Sequence, residues 1–128
     1  MSLIAQGYEE RFVYALSLGG VFLLNTLDPV MPLDKIVIDS TPSRLSDYGC
    51  PTEYDPIENL PNDCSNILLV RGQRDNVVTP AMSQDLAREA EDRNAIVTSD
   101  PEFSHPFMDV NATIHQRRMR EIQRYLLQ

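Results

Sequence analysis

Four short stretches of the chain are apolar without interruption. They are Arg11-Phe12-Val13-Tyr14-Ala15-Leu16, Lys35-Ile36-Val37-Ile38-Asp39, Asn66-Ile67-Leu68-Leu69-Val70-Arg71 and Asn94-Ala95-Ile96-Val97-Thr98. Strict alternation of apolar and polar residues is missing from all four. This pattern predicts strands covered on both faces, as in a parallel sheet. Helical segments lie between and after them. Leu18 to about Leu27 is apolar nearly all round and predicts a buried helix, stopped by Asp28-Pro29. Thr79-Pro80 opens a second helix, with Thr79 as N-cap and Pro80 at the first helical position, running to about Arg93. A third covers roughly Val110 to Leu127, with Met119, Ile122 and Leu126 on one face and Arg117, Arg120 and Arg124 elsewhere.

The resulting order alternates strand and helix, with one long interruption. That predicts an α/β fold, a parallel sheet of about four strands flanked by helices, in a single domain spanning 1–128. Active sites of such sheets lie beyond the C-terminal ends of the strands. The interruption, Ser40 to Ser65, contains Pro42, Pro51, Pro56 and Pro61 and no clear period. It predicts an irregular loop leaving the second strand and walling one side of a pocket.

Composition narrows the function. The 128 residues are 42% hydrophobic and carry a formal charge of −8. So acidic a chain offers no basic stripe to track phosphates, which argues against nucleic acid and an anionic membrane surface as partners. No apolar run approaches the roughly 20 residues that cross a bilayer. Met1 to Gln6 lacks the basic start and apolar stretch of a signal peptide; a cytoplasmic setting is the expectation. Cys50 and Cys64 fit no zinc spacing, with only His105 and His115 to assist. They read as two free thiols in one loop. The alternative, a disulfide closing that loop, would imply an oxidising compartment. No metal or other cofactor is expected.

The chemistry gathers where strands end. Val13-Tyr14-Ala15-Leu16-Ser17-Leu18-Gly19-Gly20 runs from strand into helix with a serine at the junction. Ala15 and Gly19 flank it two residues away on either side. Small residues are required there because such a serine sits on a tight, strained turn. A helix N-terminus beneath it favours negative charge on a developing oxyanion. A serine hydroxyl needs a general base. His115 falls inside the last helix and reads as structural. His105, in the loop after the fourth strand, can reach the same crevice as Ser17. Asp75 follows the third strand and is the preferred acid to orient His105. Asp39, ending the second strand, is the alternate acid, with Asp100 and Asp109 as further fallbacks.

Ala15-Leu16-Ser17-Leu18-Gly19-Gly20, Gly72-Gln73-Arg74-Asp75-Asn76-Val77-Val78 and His105-Pro106-Phe107 resemble the three signature segments of the α/β-hydrolase superfamily. The order Ser17, Asp75, His105 is that family's order. The resemblance covers the family's second half, from the nucleophile elbow onward. It implies that the four strands are the last four of eight, and that the 40–65 loop stands where a lid is often inserted, making any lid minimal. It implies a carboxylesterase-, lipase- or thioesterase-like enzyme acting on small-molecule acyl substrates. The Leu18 amide would be one oxyanion-hole donor. The second donor normally comes from the first half of the family's fold, so the chain alone is expected to be weakly active or inactive. The elbow strand would have an open edge inviting pairing with another chain. Two rivals stay open: a non-catalytic α/β-hydrolase-like binding or interaction module, and a flavodoxin-like domain cradling a phosphate at Gly19-Gly20.

Overall fold

The computed structural model describes residues 10–27 and 33–128. Met1 to Gln6, read as lacking a signal peptide, and the helix stop at Asp28-Pro29 lie outside them. Strands β1 (Phe12–Leu16), β2 (Lys35–Asp39), β3 (Ile67–Gly72) and β4 (Ile96–Asp100) form one sheet in the order β1-β2-β3-β4. All three pairings are parallel. Helices α1 (Leu18–Asn25), α2 (Pro80–Asp92) and α3 (Ala112–Leu127) complete the alternation. β3 pairs with β2, not with β1. A flavodoxin-like sheet would place its third strand beside the first and its ligand at that switch, so this rival is set aside.

Side chains of the inner strands divide between two cores. Ile36, Ile38, Ile67 and Leu69 face Leu24 of α1 and Leu86, Ala87 and Ala90 of α2. Val37, Leu68 and Val70 face Ile114, Ile122 and Tyr125 of α3. Period-two alternation thus operates, but both faces are apolar because helices cover both.

Some boundaries shift for identifiable reasons. Asn94 adopts a left-handed conformation, φ 78°, and the Asn94 and Ala95 amides close the end of α2 on Glu91 and Ala90. These residues therefore finish the helix, and β4 starts two residues later than the apolar run suggested. Asn111 caps α3, its side-chain oxygen accepting from the Ile114 amide at 2.9 Å, so Val110 lies outside the helix.

Two expectations about burial are corrected. β1 and β4 are the outer strands of the described sheet, and Phe12 and Ile96 are exposed. Continuous apolar runs here do not mean cover on both faces. α1 is not buried all round: Gly20, Val21 and Leu24 are, while Leu18 and Phe22 are 53% and 62% exposed. It packs on the sheet with one face only.

The 40–65 segment lacks a long element, as expected, yet it is not loose. It makes three single-turn 3-10 helices at 46–48, 52–54 and 56–58. The buried Asp55 carboxylate accepts from the Leu45 and Ser46 amides and the Ser46 hydroxyl, at 2.7, 2.8 and 2.6 Å. Leu60 and Cys64 enter the core under α1 and α2. Part of this segment is therefore core packing, while its middle, residues 47–54, is exposed. Cys64 is buried, Cys50 is exposed, and both are free thiols.

Candidate active site

Ser17 joins β1 to α1 with φ 51° and ψ −119°. A non-glycine residue held there is strained by about 1–3 kcal/mol and persists only where its surroundings over-determine it. Here the Ser17 amide donates to the Asp39 carbonyl at 2.7 Å. Its own carbonyl accepts from the Gly20 amide at 3.1 Å and from Thr41 Oγ1 at 2.8 Å. Serine at a helix N-cap ordinarily turns its hydroxyl back onto the first-turn amides, but Ser17 makes no such bond. Its strain is not repaid by capping. Leu18 is the first residue of α1, so its N–H is one that the first helical turn leaves without an intrahelical acceptor.

The need for small residues at this turn falls one position later than the spacing suggested. A Cβ on Gly19 would meet Ala15 at an ordinary 3.9 Å. A Cβ on Gly20 would stand 2.1 Å from Thr41 Oγ1 and 3.1 Å from Ile38. Gly20 therefore lets the start of α1 press against the end of β2.

Asp75 is buried in the turn after β3. Oδ1 accepts from the Val77 and Val78 amides, both at 2.9 Å. Oδ2 lies 3.0 Å from His105 Nδ1. With Nδ1 protonated, that N–H donates to Asp75 and Nε2 keeps its lone pair. The two loops are locked at close range. The Gln73 amide donates to the Asp100 carbonyl at 2.9 Å, and the Arg74 amide to the Phe103 carbonyl at 3.0 Å. A Cβ on Gly72 would stand 2.1 Å from that same Phe103 oxygen.

Asp39 occupies the neighbouring strand end but faces other partners. Fully buried, it accepts from Arg118 Nη1 at 2.7 and 2.9 Å, from the Tyr14 hydroxyl at 2.6 Å and from Ser40 Oγ at 3.1 Å. Burial pushes the Asp39 carboxyl above the ordinary carboxylate range, against the pull of Arg118, Tyr14 and Ser40. Burial, then the charge and hydrogen bond of Asp39, push the Tyr14 phenol well above its usual value. Asp100 pairs with Arg117 at 2.8 Å and Asp109 with Arg118 at 3.0 Å. His115 sits in α3 with its ring centroid 5.1 Å from that of Phe107.

The candidate residues therefore gather at one end of the sheet, after β1, β2, β3 and β4. Asp75 and His105 are in direct contact. Among the described residues, no hydrogen bond joins the Ser17 hydroxyl to the His105 ring. A surface cavity of about 290 Å³ is lined by Phe107, Asp109, Asn111, Ala112 and His115, without Ser17 or Asp75. No cluster of histidine, cysteine and carboxylate able to hold a metal occurs among the described residues. No helix among them is long and apolar enough to cross a membrane.

Arg118 and Tyr14 escaped the sequence reading. Ile114, Arg118, Ile122 and Tyr125 form the buried face of α3. This face is displaced from the expected Met119, Ile122 and Leu126 stripe, though Met119 and Leu126 pack at its margin. A charged residue at helical spacing between two core isoleucines was the available signal, since a buried guanidinium demands partners.

The parallel sheet and its flanking helices are those of part of an α/β-hydrolase fold. Scanning against protein-family models gives no match, and neither does a search of curated proteins. Solved structures do match. An acylaminoacyl peptidase in complex with Z-Gly-Gly-Phe-chloromethyl ketone superposes with a TM-score of 0.70 at 14% identity, over 98% of this chain and 25% of that one. Thermogutta terrifontis esterase 2 phosphorylated by paraoxon gives 0.62 at 12% identity, over 88% of this chain and 50% of that one. The esterase domain of a Rhodothermus marinus protein gives 0.64 at 16% identity, over 95% and 63%. The chain thus spans between a quarter and about two thirds of the length of these neighbours.

Proposed function

We propose that the chain carries the acyl-transfer machinery of a serine hydrolase acting on ester, thioester or related acyl substrates, and that it forms part of a larger hydrolase domain. The observation that carries this reading is Ser17 itself. It is strained, lies between strand and helix, and leaves its hydroxyl out of the helix cap. The Asp75–His105 contact at the same end of the sheet supports it, and so do neighbours named as esterases and a peptidase.

In this mechanism His105 Nε2 takes the Ser17 proton as Oγ attacks the carbonyl carbon. The Leu18 N–H donates to the oxyanion, and Asp75 holds the imidazole and balances its charge. The tetrahedral intermediate expels the alcohol or thiol, which takes the proton from His105. Water, deprotonated by His105, then attacks the acyl carbon, and His105 returns that proton to Ser17 Oγ as the acid leaves. A single assigned oxyanion donor predicts slow turnover, since losing one costs about 2.7–4 kcal/mol of transition-state stabilisation. That shortfall, together with the missing Ser17–His105 hydrogen bond, is what favours the second reading, a binding module of the same fold.

Hydrolysis of short-chain p-nitrophenyl esters separates the two. Turnover that disappears in Ser17→Ala supports the hydrolase. Turnover that is equal in both proteins, or absent even when the chain is joined to the rest of its domain, supports the module.

A further inference from the structure

We propose that Arg118 is a positioning residue for this site, tying the strand end that holds Ser17 to the loop that carries His105. The inference rests on the reading of Ser17, Asp75 and His105 given above. Arg118 lies in the middle of α3 and is fully buried. A guanidinium has five N–H donors in a rigid fork, and here each of its three nitrogens has an acceptor. Nη1 gives two bonds to the Asp39 carboxylate. Nε and Nη2 reach the two Asp109 oxygens at 3.1 and 3.0 Å. Nη2 also donates to the Ser104 carbonyl. The Phe103 ring lies beneath the guanidinium, 4.4 Å from its carbon.

The identity of these acceptors is what distinguishes the cluster from an ordinary buried ion pair. Asp39 holds the Ser17 amide through its backbone carbonyl and, through its carboxylate, Tyr14 of the same strand. Ser104, immediately before His105, is fixed at both polar backbone groups. Its carbonyl takes Arg118, and its amide donates to Asp109 Oδ1 at 2.8 Å. Asp109 also lies 4.0 Å from His115 Nδ1. One side chain thus spans the gap between the serine turn and the histidine loop, where among the described residues no direct hydrogen bond joins the two.

Lysine at this position retains the charge but loses the fork, so it cannot hold both ends at once. Misplacing a reacting group by about 1 Å costs on the order of 100-fold in rate. Arg118→Lys in the 128-residue protein is therefore expected to label with a fluorophosphonate about 10- to 100-fold more slowly. Its proton NMR spectrum should show loss or broadening of the His105 Nδ1–H signal donated to Asp75. Asp109→Asn, which leaves an oxygen for the Ser104 amide, should slow labelling severalfold and covers the case in which Arg118→Lys does not fold. A folded variant with labelling within twofold of the parent and an unchanged His105 signal overturns the inference. Should the parent not label at all, the hydrolase reading fails, while the NMR signal alone still decides whether Arg118 places His105.

Discussion

The end of β2 and the turn after β3 each deliver one buried carboxylate to the same rim of the sheet. Asp39 is saturated, with four hydrogen bonds from Arg118, Tyr14 and Ser40 around its two oxygens. Asp75 commits one oxygen to two loop amides and leaves the other for a single imidazole. Position at a strand end therefore does not separate a structural acid from a catalytic one. In the proposed mechanism the partner set does. Asp39 belongs to a network that fixes backbone, and Asp75 to a pair that orients a titratable ring.

Substitutions should break the two carboxylates apart. Asp75→Asn keeps an oxygen for the Val77 and Val78 amides but misassigns the imidazole tautomer. Fluorophosphonate labelling of Ser17 should fall by about 10⁴-fold, with little change in urea stability. Asp39→Asn should do the reverse. Its labelling loss should be smaller, but stability should drop by about 3 kcal/mol in urea denaturation, because a buried pair loses one charge while Asp109 still balances Arg118. Equal stability losses in the two variants would erase the distinction.

The contact between the two loops offers the next test. In Gly72→Ala the new Cβ meets the Phe103 carbonyl, a backbone atom that cannot swing aside. Overpacking of this kind costs about 1–3 kcal/mol, and it should also slow labelling by separating Asp75 from His105. Gly20→Ala should cost a similar amount by displacing Thr41 from the Ser17 carbonyl. Both are read by thermal unfolding with labelling in parallel.

Acid and alkali probe the Arg118 network more gently. Burial works against ionised Asp109, but hydrogen bonds from Arg118 and the Ser104 amide outweigh it and hold its pKa below the ordinary value. Its stabilisation is present above the unfolded value, about 4, and is lost as pH falls through the lower folded value. Tyr14 is raised, so its contribution is full below the unfolded value of about 10 and declines as pH rises beyond it. Urea midpoints measured across both ranges should fall at each end, the acid fall from Asp109 being reduced by Asp39, whose raised value acts in the opposite sense. Tyr14→Phe should reduce the alkaline fall, leaving the part due to Tyr125 and Cys64, which burial also raises.

The smallest effect expected is at Gly19. Its site has room for a methyl group, and alanine is the better helix former by about 0.8–1.0 kcal/mol. Gly19→Ala should leave stability unchanged or slightly improved, in contrast to Gly20→Ala.

Much of this architecture was legible in the sequence. The β2 and β3 runs and the Thr79-Pro80 start gave the sheet and α2, because local pattern and burial agree there. The approach of Asp75 to His105 was legible through the placement of both after consecutive strands. What escaped depended on three-dimensional neighbours. The exposure of Leu18, Phe22 and Ile96 reflects which elements stand at the edge of the described structure, which hydrophobicity does not encode. The crowding at Gly20 depends on Thr41, more than 20 residues away. Arg118 looked like one more arginine of a charged helix until Asp39 and Asp109 converged on it.

The most direct test is to map the residue that carries the adduct after fluorophosphonate treatment, by peptide mass spectrometry of the native protein and its Ser17→Ala and Asp75→Asn variants. The account predicts an adduct on Ser17, none in Ser17→Ala, and a greatly slowed reaction in Asp75→Asn. An adduct on another residue, equal labelling in Ser17→Ala, or no labelling of the native protein would contradict it.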